Sequence, residues 1–245
     1  MLPTPATSAW PWPRIFLYFV ILAIVYAMAQ LGAVIAAAVV QTILVPGFKV
    51  EEWVGRAASD GVVVSAAVIG SAMLCVPLVW MLARRHEPAP WTFLGIRPVR
   101  AGVVIAACAG MAAFAAMTDS VNVFVLDRPL VPPFMTEAFA SARVPALLFV
   151  AIVIVAPVTE ELLFRGFLYG TLQSRGIRPL WCVLVTSVVF TVVHTQYDLH
   201  DITTVLLLAL LLGAARARFD SIAPTIAMHA LSNAIAFVET AIVTQ

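Results

Sequence analysis

The sequence predicts an all-α fold, a polytopic bundle of about seven transmembrane helices around an intramembrane cavity. Three observations carry that expectation. Of 245 residues, 62% are hydrophobic and 11% charged, against about 45–50% and about a quarter in soluble domains. The apolar residues gather in runs that approach or exceed the roughly 20 helical residues needed to cross a hydrocarbon core. The few basic residues fall unevenly between alternate connections, as in membrane proteins of fixed orientation. A net charge of +1 gives no field that would attract nucleic acid, and no nucleic-acid motif is present.

In chain order, Met1–Pro13 is a Pro- and Trp-rich tail whose Trp10 and Trp12 suit a lipid–water interface. Span one, Arg14–Val45, far exceeds the roughly 7–15 apolar residues of a signal peptide and is read as a retained helix. Lys49–Asp60 is a polar connection. Span two is Gly61–Ala83, and span three is Ala101–Leu126, where Gly102, Ala106 and Gly110 suggest a face for close helix contact. Asp127–Arg143, with Pro129, Pro132 and Pro133, reads as interfacial. Span four runs from Val144 into a charged stretch, and Pro157 predicts a kink or break just before Glu160. Spans five, six and seven are Leu180–His194, Ile202–Ala215 and Ser221–Val243. Residues 1–143 (three spans and the interfacial loop) and 144–245 (a helical core bearing the polar residues) form one integrated membrane domain.

With the N-terminus in the cytoplasm, ten arginines (Arg14, Arg84, Arg85, Arg97, Arg100, Arg165, Arg175, Arg178, Arg216 and Arg218) fall on the inner side, and four basic residues (Lys49, Arg56, Arg128, Arg143) on the outer. That bias places the C-terminus outside. The cysteines Cys75, Cys108 and Cys182 sit in apolar runs without metal-ligand spacing and read as packing residues.

Thr159–Gly166 holds Glu160, Glu161 and Arg165 directly after an apolar run. One charged residue at the centre of a membrane helix costs about 2.5–3.5 kcal/mol on insertion scales, so these side chains need partners or a task. His194 ends span five, four residues after Phe190, and His229 and Asn233 stand four apart in span seven. Residues four apart share a helix face, so Glu161 can pair with Arg165, while Glu160 is turned by about 100° from Glu161. Glu160 or Glu161 with His194 can deprotonate a water, and His229 with Asn233 can donate to an oxyanion. Glu160, His194 and His229 can equally hold a divalent metal such as zinc, and the residues alone leave both open. No H-E-x-x-H occurs: the one His-Glu pair, His86-Glu87, is followed by prolines. No G-x-S-x-G serine elbow occurs either.

The set E-E-x-x-x-R (Glu160, Glu161, Arg165), F-x-x-x-H (Phe190, His194) and H-x-x-x-N (His229, Asn233), in that order on separate apolar helices, resembles the CPBP intramembrane protease family. That family embraces type II CAAX prenyl endopeptidases and bacterial relatives tied to bacteriocin processing, immunity and abortive infection. The resemblance covers about Val144–Val243. It implies a membrane-embedded protease acting on membrane-associated protein or peptide substrates, prenylated CAAX-type or leader-peptide. In it Glu160 and His194 activate water, His229 and Asn233 form the oxyanion site, Glu161 and Arg165 orient the site, and Phe190 packs beside it. It also implies eight helices where the hydropathy shows seven. The active site is expected in a cavity open to the cytoplasm. A glutamate-dependent, metal-free reaction is favoured over a metalloprotease. The alternatives from other classes are a transporter or proton/ion relay using the Glu/His cluster, and a catalytically silent immunity protein.

At about 1.5 Å per helical residue, Glu160 falls near the inner face, about 24 Å from Val144, while His194 lies about 21 Å from that face. On these bounds the two do not meet unless span five tilts or Pro157 breaks span four.

Overall fold

The computed structural model describes residues 10–86 and 89–244, and all regular structure among them is helical. The first nine residues of the expected tail, and Glu87 of the His86-Glu87 pair, lie outside the described residues. Seven apolar helices correspond one to one with the expected spans: α1 (Trp12–Leu44), α2 (Gly61–His86), α3 (Ala101–Phe124), α4 (Pro145–Ser174), α5 (Pro179–Val192), α6 (Leu199–Phe219) and α7 (Ala223–Val243). All but α5 are long and apolar enough to cross a membrane. The helices Val50–Trp53, Pro90–Phe93 and Pro133–Ser141 are too short to cross.

The helix boundaries have local causes. Proline opens α4, α5 and α7 within their first turn, where its missing N–H is one that no helix would pair. Asp198 caps α6 by accepting from the backbone N–H groups of His200 and Asp201. Asp220 ends α6 in the left-handed region (φ 49°), a conformation that Asp tolerates better than most residues.

The connections gather at two opposite ends. At the first, the Gly61 N–H donates to Ser141 Oγ at 2.9 Å, Arg143 reaches Gln41 Oε1 at 3.2 Å, Arg128 pairs with Asp198, and His200 Nε2 meets Asn122 Oδ1 at 2.8 Å. At the second, Arg97 pairs with Asp220, the Ile222 N–H donates to Gly95 O at 2.9 Å, and Arg175 donates to Trp10 O at 3.2 Å. The second end holds the arginine-rich connections and the first the basic-poor ones. Close packing there depends on glycine: a Cβ on Gly170 of α4 would sit 2.4 Å from the Phe93 carbonyl oxygen. Gly95 (φ +69°) turns the chain where a Cβ would strike the Arg216 guanidinium at 2.7 Å.

Three expectations are corrected. The small residues of α3 make no close helix contact, since a Cβ at Gly102 or Gly110 would meet nothing within 4 Å. α3 packs through another face, burying Met111 beside Leu212 and Met228. Pro157 does not break α4, which continues from Pro145 to Ser174. Nor is Glu160 near a helix end. It lies fourteen residues before Ser174, about 21 Å, while His194 lies fifteen residues beyond Pro179, about 22 Å. The two stand at matching depth from the arginine-rich end, and the conflict arose from ending span four too early.

The two-ended arrangement has a direct check. In a background with Cys75, Cys108 and Cys182 replaced, single cysteines at Ala58 and Gln196 are expected to react with a membrane-impermeant maleimide from the same side. A cysteine at Ile96 is expected to react from the other. Labelling of all three from one side of sealed vesicles contradicts this fold.

Candidate active site

The charged stretch sits where α4 is least regular. Its backbone widens into π-helical turns at Val150–Val155 and Leu162–Leu168, with one α-helical stretch, Ala156–Glu161, between them. Such turns often mark functional positions because they rotate side chains out of the ordinary helical register.

Glu161 and Arg165 are fully buried and paired at 2.9 Å. Arg165 also donates to the Ala209 carbonyl of α6 at 2.8 Å and lies over the Phe190 ring of α5, 4.6 Å from its centroid. Glu161 Oε1 accepts from His229 Nδ1 of α7 at 3.0 Å. One ion pair thus ties α4 to α5, α6 and α7.

The remaining geometry follows from which atoms are already engaged. With the His229 Nδ1–H given to Glu161, Nε2 is the ring nitrogen left to act, and it stands 3.8 Å from Glu160 Oε2. Glu160 keeps 19% of its side chain exposed, beside the sealed Glu161. His194 Nδ1 lies 2.7 Å from the Phe190 carbonyl oxygen. A carbonyl only accepts, so Nδ1 carries the hydrogen and Nε2 keeps its lone pair. The His194 ring packs on Phe190 at 4.5 Å and stacks on Tyr197 at 6.2 Å. Phe190 also meets His229 at 5.7 Å. Asn233 donates from Nδ2 to the Ile152 carbonyl at 2.8 Å.

Glu160, His194, His229 and Asn233 line one cavity of about 830 Å³, together with Phe190. Glu161 and Arg165 lie behind its wall. Sequence reasoning missed other polar groups of the lining: Tyr26 and Gln30 on α1, Asp119 on α3, Tyr197, and Glu239 on α7. Asp119 and Glu239 both line the cavity wall, one on α3 and one on α7. An acid inside an apolar span was the signal that pointed to them.

The cavity reaches the basic-poor end, where its lining includes Arg128–Met135 and Thr195–Asp198. The Asp201 N–H and the Arg128 guanidinium hold the Asp198 carboxyl below the usual range, so this tie over the mouth persists above that range and is lost only as pH falls through the depressed value. Burial, reinforced by the Glu160 charge, pushes the Tyr197 phenol up to about 12. The start of α1 stands at the other end, where Arg175 donates to the Trp10 carbonyl.

The metal alternative is tested by the donor geometry. Among the described residues, no three His, Cys, Asp or Glu side chains converge closely enough to hold an ion. Glu160, His194 and His229 form no such group in this arrangement, while each imidazole, its Nδ1 engaged by a protein acceptor, keeps Nε2 as the nitrogen a metal would take.

The chain is a polytopic helical bundle with Glu, His and Asn side chains on one internal cavity, and comparison with known proteins adds to this. Residues 142–235 match the family described as type II CAAX prenyl endopeptidase Rce1-like, and the similarity covers that segment of the chain. The chain is also 34% identical over 116 residues to an uncharacterized 24.3 kDa protein of Escherichia coli, a match covering 44% of this chain and 54% of that protein. The chain thus spans about half the length of that relative. No solved structure matches it.

The buried pair gives a stability expectation. Glu161→Gln leaves the Arg165 charge without its counterion inside the bundle and is expected to cost about 3–5 kcal/mol. Adding Arg165→Met should recover part of that loss. Thermal unfolding of the single and double variants in detergent reads this directly, and a double variant less stable than the single contradicts it.

Proposed function

We propose that this chain is an intramembrane endopeptidase that hydrolyses a peptide bond of a membrane-associated substrate with a water activated by Glu160 and His194. The observation that carries this reading is the convergence of Glu160, His194, His229 and Asn233 on one cavity within an Rce1-like segment. Glu160 is the carboxylate that acts, because it faces the cavity. Glu161 is committed to Arg165 and His229.

The water gives its proton to the Glu160–His194 pair as its oxygen attacks the substrate carbonyl carbon. Negative charge then collects on the carbonyl oxygen. His229 Nε2 and the second N–H of the Asn233 amide are the donors for it. Donation from Nε2 requires the imidazolium; Glu161 is already the counterion of Arg165, so that charge is balanced by the Glu160 carboxylate 3.8 Å away before the attack and by the oxyanion after it. As the tetrahedral species collapses, the C–N bond breaks and the proton held by Glu160 or His194 passes to the leaving amine. Phe190 contributes by fixing both imidazoles, one against its ring face and the other across its edge. No step calls on a metal.

On the ten-to-four charge bias, the N-terminus is cytoplasmic and the cavity mouth faces the opposite side. Leader-type peptides presented there fit this orientation better than prenylated cytoplasmic tails. The deciding experiment offers the purified protein a farnesylated CAAX peptide and an unmodified leader peptide, each with and without a strong chelator. Cleavage of the leader peptide, insensitive to chelator, is expected. Cleavage abolished by chelator and restored by zinc overturns the metal-free reaction.

Glu160→Gln, His194→Ala and His229→Ala are each expected to lower the cleavage rate by about 10²–10⁴-fold in protein that still inserts and unfolds cooperatively. Any variant that keeps wild-type activity removes its residue from the mechanism.

The proton-relay reading is favoured by one observation, the presence of two further carboxyl groups, Asp119 and Glu239, in the cavity wall. Glu239→Gln with Asp119→Asn separates the two readings. The protease reading expects cleavage within about threefold of wild type, as for groups remote from the chemistry. A relay instead loses proton-coupled uptake in proteoliposomes.

A further inference from the structure

We propose that Pro157 is a positioning residue, orienting the Asn233 amide by withholding a backbone hydrogen bond from Ile152. The inference rests on the reading of Asn233 as an oxyanion donor, and it begins in the register of α4. In the π-helical turn Val150–Val155 each carbonyl pairs with the N–H five residues on, and the Ala156 N–H accordingly donates to the Ala151 carbonyl. One step further the same register pairs the N–H of residue 157 with the Ile152 carbonyl. Residue 157 is proline and has no N–H to give.

A carbonyl left without a donor in an apolar bundle is costly, and here a side chain from another helix answers it. Asn233 of α7 donates from Nδ2 to Ile152 O at 2.8 Å. The contact settles how the amide is turned. A carbonyl accepts only, so the NH₂ end of Asn233 must face Ile152, while the side chain stands in the cavity wall beside His229. One N–H is fixed on Ile152, and the other has its direction set by that bond. Pro157 thus does not open the helix. It exports one hydrogen-bonding obligation across the bundle to the residue that needs a fixed orientation. An amide already held in place spends no reorganisation when charge develops on the substrate.

The test is a double-mutant cycle with two readouts. Pro157→Ala and Pro157→Gly both return an N–H at this position, in register with the Ile152 carbonyl. In the parent protein Asn233→Ala strands that carbonyl and is expected to lower the melting midpoint in detergent by roughly 2–4 °C. In either Pro157 variant the same change is expected to cost nothing measurable, because the backbone now satisfies Ile152. Equal destabilisation by Asn233→Ala in both backgrounds overturns the inference, and this arm needs no substrate.

The catalytic arm uses whichever of the farnesylated and leader peptides the parent protein cleaves. Asn233→Ala is expected to lower kcat roughly 100-fold. Pro157→Ala should lower it roughly tenfold with KM within about twofold, the signature of a misdirected rather than missing donor. The double variant should be no worse than Asn233→Ala alone. Pro157→Ala with full kcat overturns the positioning role. A parent protein that cleaves neither peptide overturns the proposed function instead, and leaves the stability cycle to decide whether Pro157 and Asn233 are coupled.

Discussion

Glu161 and Arg165 have no exposure to solvent, and neither can be left alone there. Their mutual bond satisfies only part of what each carries. More of it is met by His229 on α7, by the Ala209 carbonyl on α6 and by the face of Phe190 on α5, while Glu161 Oε2 and Arg165 Nε stay buried without a hydrogen-bond partner among the described residues. Four helices therefore meet at one point for electrostatic reasons, in a bundle whose apolar surfaces would otherwise slide over one another at little cost. Lipid tails are as apolar as leucine, so shape and polar contacts must choose the packing. The pair makes that choice. In doing so it sets the His229 ring against Glu160 and seals one carboxylate while leaving its sequence neighbour facing the cavity.

The division of labour between two adjacent glutamates is a matter of helix rotation. Glu160 and Glu161 project in directions about 100° apart, so one can look into the bundle seam and the other into the cavity. The π-helical turns before and after them set which direction is which. An unbroken α-helix carrying the same residues would present a different edge to α7.

Much of this was legible in the residues. The seven helices follow from the apolar runs, and the three pairs at four-residue spacing, Glu161/Arg165, Phe190/His194 and His229/Asn233, each predict a shared helix face. What was not legible was relational. Spacing shows that His229 and Asn233 look the same way, but not that His229 meets Glu161 more closely than Glu160. It identifies Pro157 as a disturbance, but not that the disturbance is absorbed by a π-helical turn and a donor from α7. The glycines of α3 misled because small residues permit close approach without requiring it. Asp119 and Glu239 were passed over although a carboxyl group within an apolar run carried the same warning as Glu160. The depth of Glu160 was misjudged because the hydropathy boundary of α4 falls at its charges, whereas the helix runs on to Ser174.

The shortness of α5 has a consequence for where water can be. Its 14 residues rise only about 21 Å, against about 30 Å of hydrocarbon. α5 begins at the arginine-rich end, so its other terminus stops short of the opposite surface. Its final carbonyls, which no helical N–H follows, are left below the level of the headgroups. Phe190 spends its carbonyl on the His194 ring, and the Thr191 carbonyl accepts from the His194 N–H at 3.1 Å. A bilayer around such a helix must thin or admit solvent beside it. Hydration of His194 is then a result of hydrophobic mismatch. The bundle need not conduct water through its interior to reach this residue, because a helix too short for the membrane draws the aqueous boundary inward to it.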